Sequence, residues 1–221
     1  MKEYPSIETV FVRDKATNRL KFGELRNNVN EAIPLWSVSE KIDGTNIRVI
    51  VTLGGVEVRG RTDNAQLHPH LVESVKALFY HKRLVEYFAD YRGKDLPPEW
   101  LVTFYGEGYG AGIQKGAGYC ADKRFRCFDI MLGENLLVDD EEMRRICTEL
   151  GIPTVPFLGF IADLPRTKNS LLEIIPHSVV SFEDSGVADY QAEGIVAKPM
   201  HVLFDSRMNR VVWKLTFREF K

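Results

Sequence analysis

The stretch SEKIDGTN, Ser39 to Asn46, sets a lysine, an aspartate and a glycine in K-x-D-G spacing just ahead of a β-branched run, IRVIVTL. Lys41 in such a place has three chemical options: an ordinary surface charge, a clamp on a phosphate, or an amine nucleophile. Four residues of this kind recur by chance, so the motif alone does not choose. Other groups capable of chemistry follow in order. RGRTDN carries Arg59 and Arg61, FYGEGYG carries Glu107, and FRCFDI carries Phe128 and Asp129. AEGIVAKP then brings Glu193 and Lys198, and VVWKLTF brings Lys214.

Taken singly, most of these have a bland explanation. Glu107 between glycines reads as a solvated loop carboxylate, and Glu193 as a strand-initiating residue at a turn. Lys198 is as readily a solvent lysine as a triphosphate contact. Phe128 in an alternating strand is most often core, but Asp129 beside it is foreign to a core strand, so one of the pair is expected to face a site. Lys214 is more telling. With a two-residue period, Val211, Trp213, Leu215 and Phe217 share one face, and Val212, Lys214 and Thr216 the other. A lone charge on the ligand-facing side of a strand suits a phosphate-binding lysine.

The elements that must position these groups are legible in outline. Two alternating runs flank Gly54-Gly55, which predicts a hairpin turning on those glycines. Leu53, Val51, Val49, Val56 and Val58 then build core. Arg48 falls opposite Arg61 and Ile50 opposite Arg59, on the face where Asn46 also points. Opposed arginines repel unless an anion lies over them, a hint of a phosphate-facing surface. Apolar residues at Leu71, Val75, Leu78, Phe79, Val85 and Phe88 have helical spacing over about His70 to Tyr91. A second helix is predicted from Asp139 to Leu150, stopped by Gly151 and Pro153, and a short one from Asn169 to Ile175. Strands are predicted at WLVTFY, RFRCFDIML, EGIVAKP and RVVWKLTF, without regular βαβ alternation. The expected class is α+β, with antiparallel sheets flanked by helices.

Composition bounds the rest. The chain has 221 residues, 44% hydrophobic and 27% charged, as in ordinary globular proteins. No apolar run approaches the roughly 20 residues of a membrane span, and MKEYPSIETVFV lacks a signal-peptide core. Cys120, Cys127 and Cys147 fit neither a disulfide framework nor a metal spacing, and read as buried small hydrophobes in a reducing compartment. A net charge of −2 argues against non-specific nucleic-acid binding through overall charge. Two local basic runs remain: Lys123 to Arg126, and the tail containing Arg207, Arg210, Lys214, Arg218 and Lys221. Solvated faces are the commoner origin of such runs.

Together, Lys41, Arg61, Glu107, Phe128, Glu193 and Lys214 resemble, in order and spacing, the motifs of the covalent nucleotidyltransferases, the superfamily of ATP-dependent ligases and mRNA capping enzymes. Within it the chain looks most like the RNA ligase 2 branch, which includes RNA-editing ligases. Asn46 closes the first motif where DNA ligases usually carry arginine, and GIQKGAGYCADKRFRCFDI is similar to that branch's approach to its nucleoside-binding phenylalanine. The resemblance covers roughly Ser39 to Phe217.

It implies one adenylylation domain with an ATP-grasp-like fold over residues 1–221, without a C-terminal accessory domain, and an ATP-dependent RNA ligase activity. Lys41 would attack the α-phosphate of ATP, which an amine does only when neutral. Mg²⁺ or Mn²⁺, Arg61 and Lys214 would favour that form and steady the phosphates. Glu107 would accept hydrogen bonds from the ribose, Phe128 would stack on adenine, and Glu193 would lie near the metal and the α-phosphate. Glu40, Asn46 and Lys198 complete the implied nucleotide-binding set. Arg59 competes with Arg61, whose distance from Lys41 and RT context match better. The sequence departs from the branch where a second lysine is usual: either Thr216 or Val212 replaces it, with Lys198 or Arg218 able to compensate. The chain also ends only seven residues after Lys214, whereas many relatives continue into a domain that grips nucleic acid. Implied partners are RNA ends, in a nicked duplex or single strand, and an end-healing kinase or phosphatase, in the cytoplasm of a cell that could be phage-infected. Rival expectations are a minimal DNA ligase, a GTP-using capping enzyme, and a non-catalytic nucleotide- or RNA-binding module.

Overall fold

Alternating apolar residues on both sides of Lys41 build two separate sheets. The computed structural model describes residues 3–220, so Lys221 of the basic tail lies outside the described residues. The chain opens with β1 (Phe11–Arg13), β2 (Leu20–Leu25), the one-turn α1 (Val29–Ala32) and β3 (Trp36–Lys41). It continues through β4 (Thr45–Thr52), β5 (Gly55–Gly60), α2 (Pro69–Leu78), α3 (His81–Arg92) and β6 (Leu101–Tyr109). Next come β7 (Arg124–Leu132), β8 (Leu136–Leu137) and α4 (Asp140–Leu150). It closes with β9 (Phe157–Ile161), α5 (Lys168–Ile174), α6 (Val179–Ser185), β10 (Gly194–Pro199) and β11 (Trp213–Thr216).

Two compact units result. One comprises Gly44–Thr154 with residues 3–4, and the other Pro5–Asp43 with residues 155–220. In the Gly44–Thr154 unit, a five-stranded antiparallel sheet runs in the order β5-β4-β6-β7-β8. Ile47, Val49 and Val51 of β4 enter one core with Leu71 and Val75 of α2 and Ile146 of α4. Asn46, Arg48 and Ile50 alternate with them onto the other face. In the Lys41-bearing unit, the sheet order is β11-β10-β3-β9, again antiparallel, with β1–β2 as a separate hairpin. Its core gathers Trp36, Val38, Ile195, Ala197, Trp213 and Leu215. Trp36 and Trp213 meet edge to face, their ring centroids 5.5 Å apart. Ser37, Ser39 and Lys41, with Val196, Lys198, Lys214 and Thr216, occupy the opposite face.

The structure is α+β with antiparallel sheets, as expected, but three local expectations differ. The hairpin turns on Leu53-Gly54, pairing Thr52 with Gly55, so Arg48 lies opposite Arg59 and Ile50 opposite Glu57. Gly55 takes φ 145° already inside the ladder. A two-residue slip preserves which side chains face the core, but it takes Arg61 out of the sheet and leaves Leu53 41% exposed at the turn. The helical run from His70 breaks at Phe79-Tyr80, because the Phe79 ring is drawn between Phe104 and Phe125, at 5.0 and 5.7 Å. Finally, Lys41 precedes β4 as expected, but it also ends a strand, β3, that the sequence did not mark. β9, α6 and the β1–β2 hairpin lack a clean two- or 3.6-residue apolar period in the sequence, and β3 shows one only at Trp36 and Val38. The three cysteines are buried and form no disulfide among the described residues, and burial pushes the Cys127 thiol up.

Candidate active site

Strand β3 delivers Lys41 at its C-terminal end, opposite Gly194 of β10. That pairing brings the preceding residue, Glu193, to the lysine: Lys41 Nζ donates to Glu193 Oε2 at 2.6 Å. The two side chains are 23% and 13% exposed, so solvent reaches the pair without saturating it. Arg218 Nη2 lies 3.9 Å from the other Glu193 oxygen. On β11, Lys214 pairs with Val196, two residues from Glu193's end of β10. Burial, then the positive charge of Lys41, lower the Lys214 pKa from its ordinary 10.5, with Glu219 and Glu193 opposing. Lys198 is 4% exposed on the same face, opposite Ser37. Thr216 is fully buried, its Oγ1 without a partner while its N–H donates to Glu219 Oε2 at 2.8 Å.

Glu40 points the other way. It is 1% exposed and closes the start of α6, where its oxygens accept from the Ser178 hydroxyl and from the backbone N–H groups of Val179 and Val180. An anionic carboxylate suits those unsatisfied helix-start donors.

In the Gly44–Thr154 unit, β4 and β6 put Asn46 directly opposite Glu107. Asn46 Oδ1 is buried with no partner among the described residues. Gly44 has a steric reason to be glycine: a Cβ there would sit 2.3 Å from the Gly108 carbonyl oxygen and 2.9 Å from Glu107 Cγ. Phe128 and Asp129 resolve their shared position through a bulge, since Tyr105 pairs with Asp129 and Gly106 with Cys127. Phe128 is the extra residue. Both side chains reach Tyr4, whose hydroxyl donates to Asp129 and whose ring lies 5.0 Å from that of Phe128.

The opposed arginines also have a resolution. Asp63 Oδ1 accepts from Arg48 Nη2 at 2.8 Å and from Arg59 Nη1 at 3.1 Å. The anion expected over them is the protein's own carboxylate, and Arg48, then Arg59, hold it below the usual carboxylate range. Arg61 stands exposed in the loop after β5. The Lys123–Arg126 run is not a solvated basic patch. Phe125 is core, and Arg126 is 9% exposed, with Nε donating to the Tyr109 hydroxyl at 2.9 Å.

The structure thus gathers Lys41, Glu193, Lys214 and Arg218 in one unit, and pairs Asn46 with Glu107 in the other. Sequence reasoning missed Tyr4 and Asp63, and read Arg48 only through its wrong partner. RTDN held the signal for Asp63, an acid two residues after the candidate arginine. Tyr4 had none.

No helix among the described residues is long and apolar enough to cross a membrane. No curated protein matches the sequence significantly. Among solved structures, an archaeal ATP-dependent RNA ligase superposes with a TM-score of 0.60 at 19% identity, over 100% of this chain and 49% of that one. A Naegleria gruberi RNA ligase mutant with ATP and Mn gives 0.59 at 16% identity, over 97% and 57%. These likenesses show the nucleotidyltransferase fold of such ligases, and this chain spans about half the length of each. The RNA ligase family profile matches residues 34–216. That span begins just before β3 and ends with Thr216, taking in Lys41, Glu193 and Lys214 as well as the Asn46–Glu107 pair, and the chain belongs to the RNA ligase family.

Proposed function

We propose that this chain is the nucleotidyltransferase part of an ATP-dependent RNA ligase, with Lys41 as its nucleophile. The observation that carries the reading is the Lys41–Glu193 contact of 2.6 Å, with the half-buried Lys214 on the same sheet face. A binding module has no need of an amine held in that way.

In this reading Lys41 Nζ attacks the α-phosphorus of ATP, the α–β phosphoanhydride breaks and pyrophosphate leaves. Lys214 and Arg61 offset the charge that develops on the phosphate oxygens. Glu193 accepts a hydrogen bond from Nζ, keeps it aimed, and takes up the proton that the amine must lose to attack. The P–N bond then breaks as an RNA 5′-phosphate takes the AMP, and a 3′-hydroxyl displaces AMP to seal the strand. Asn46 and Glu107 suit the ribose hydroxyls, an amide and a carboxylate side by side. Phe128, braced at its edge by Tyr4, suits the base. Lys198 is a candidate triphosphate contact, and Glu40 supports the strand beneath the nucleophile.

A divalent cation, Mg²⁺ or Mn²⁺, supplies charge neutralisation at the phosphates when bound. Among the described residues no cluster of three or more His, Cys, Asp or Glu is arranged as a cage. Mg²⁺ needs only one or two protein carboxylates when phosphates and water complete its shell, and Glu193 fits that role. RNA ends, prepared by an end-healing kinase or phosphatase in the cytoplasm, are the proposed substrates, with the chain acting as a single catalytic domain.

The test is label transfer from ATP labelled at the α-phosphate, with GTP and Lys41→Ala as controls. Label from ATP that disappears in Lys41→Ala supports the reading. Label from GTP instead would indicate a capping enzyme. No label from either, in folded protein shown not to carry AMP already, would remove the ligase claim.

A further inference from the structure

The loop that carries Arg61 has a fastening that the proposed chemistry does not explain. Arg48, in the middle of β4, has a fully buried side chain. Its Nε donates to the carbonyl of Gly60 at 2.8 Å, and its Nη2 to Asp63 Oδ1 at 2.8 Å. Those two acceptors bracket Arg61 and Thr62. Arg59 adds a second cation to Asp63 from the next strand. The loop also folds back tightly: the Ala65 N–H donates to the Thr62 carbonyl at 3.2 Å, and a Cβ on Gly60 would lie 2.6 Å from that of Ala65.

A buried guanidinium is a poor choice for stability alone. Its desolvation offsets most of what an ion pair returns, and an apolar side chain of similar volume would often serve as well. Arg48 Nη1 moreover finds no partner among the described residues. What an arginine supplies here, and methionine would not, is a rigid fork with donors at two fixed directions. Both directions are spent on the loop, one on each side of Arg61.

We infer that Arg48 is a positioning residue for Arg61, fixing the Gly60–Asp63 segment so that the Arg61 guanidinium meets phosphate in a constant geometry. This rests on the reading that Arg61 contacts phosphate during nucleotidyl transfer. Arg48 touches no reacting atom, and its influence passes through the backbone at Gly60 and the carboxylate of Asp63. Misplacing a contact by about 1 Å is enough to cost on the order of 100-fold in rate.

The experiment is a double-mutant cycle on the rate of label transfer from ATP at saturating concentration. Arg48→Met, Arg61→Ala and the double variant are compared, with melting temperature and amide exchange over residues 60–65 measured on each. Arg48→Met is expected to slow transfer at least 10-fold in the parent and less than 2-fold in the Arg61→Ala background, with faster exchange confined to the loop. Equal loss in both backgrounds would overturn the inference, since a general structural role is additive. So would an Arg61→Ala variant of parental rate. Asp63→Asn guards against a poorly folding Arg48→Met: it alters an exposed side chain, so a several-fold slowing at unchanged melting temperature is expected, and a parental rate would count against the staple. Loss of label in the unmutated protein would instead sink the ligase reading itself.

Discussion

Glu193 Oε2 lies 2.6 Å from Lys41 Nζ although 152 residues separate the two in sequence. The antiparallel pairing of β10 with β3 makes the contact, so its geometry is set by backbone ladder rather than by loop. Replacing the carboxylate tests whether the contact serves chemistry or stability. Both side chains keep some solvent access, so the stability share of the pair is modest, on the order of 1 kcal/mol after screening. Glu193→Gln should therefore lower the melting temperature by only about 2–4 °C. Label transfer to Lys41 should fall at least about 100-fold. A large melting shift with near-parental transfer would make the pair structural.

Gly44 tests the sheet that carries Asn46. Any Cβ at this position would meet the Gly108 carbonyl oxygen at 2.3 Å, and a backbone atom in a ladder has little room to retreat. Overpacking of this kind costs about 1–3 kcal/mol or more. Gly44→Ala should lower the melting temperature by roughly 3–10 °C and impair nucleotide binding, because Glu107 must shift with its strand. A binding isotherm for ATP on the folded fraction separates the two effects. Parental stability and affinity would show that β6 yields more easily than the packing indicates.

Lys214 predicts a proton linkage. Burial, with Lys41 next, lowers its pKa below the ordinary 10.5. The folded state thus holds this proton less tightly than the unfolded chain, so the charged form opposes folding, and that opposition fades as pH rises through the folded pKa towards 10.5. An anion placed beside Lys214 acts in the opposite sense and draws a proton back. Pyrophosphate binding should accordingly take up protons at alkaline pH below 10.5. Titration calorimetry in buffers of different ionisation enthalpy measures the uptake. Its persistence in Lys214→Met would assign the linkage to another group.

The sequence disclosed those parts of the fold whose physics is local. Period-two alternation marked β7 and β10, and Gly151 marked the end of α4, where it takes φ 68°. Motif order brought together Lys41, Glu193 and Lys214, which no local signal relates. What escaped depends on non-local pairing. The hairpin register turned on whether Leu53 or Gly55 joins Gly54 at the bend, and that choice decides whether Arg48 faces Arg59 or Arg61. The break at Phe79 follows from aromatic neighbours on β6 and β7. Neither Tyr4 nor Glu40 advertises its partner, because each meets groups more than a hundred residues away.

The missing second lysine can be placed by substitution. Val212 precedes β11, whereas Thr216 lies within it, two residues beyond Lys214 and on the same face. Thr216 is fully buried and its hydroxyl has no partner. A lysine there would put a fourth cation on the face already holding Lys41, Lys198 and Lys214, where burial disfavours charge. Thr216→Lys should cost about 2 kcal/mol or more, lowering the melting temperature by at least about 4 °C, and should depress the Lys214 pKa further. Thr216→Val removes the unpartnered hydroxyl at nearly constant shape. It should be neutral or stabilising by up to about 1 kcal/mol. If Thr216→Lys is instead well tolerated and speeds label transfer, the position has the room and the field of a lysine site, and the family's second lysine belongs at 216 rather than 212.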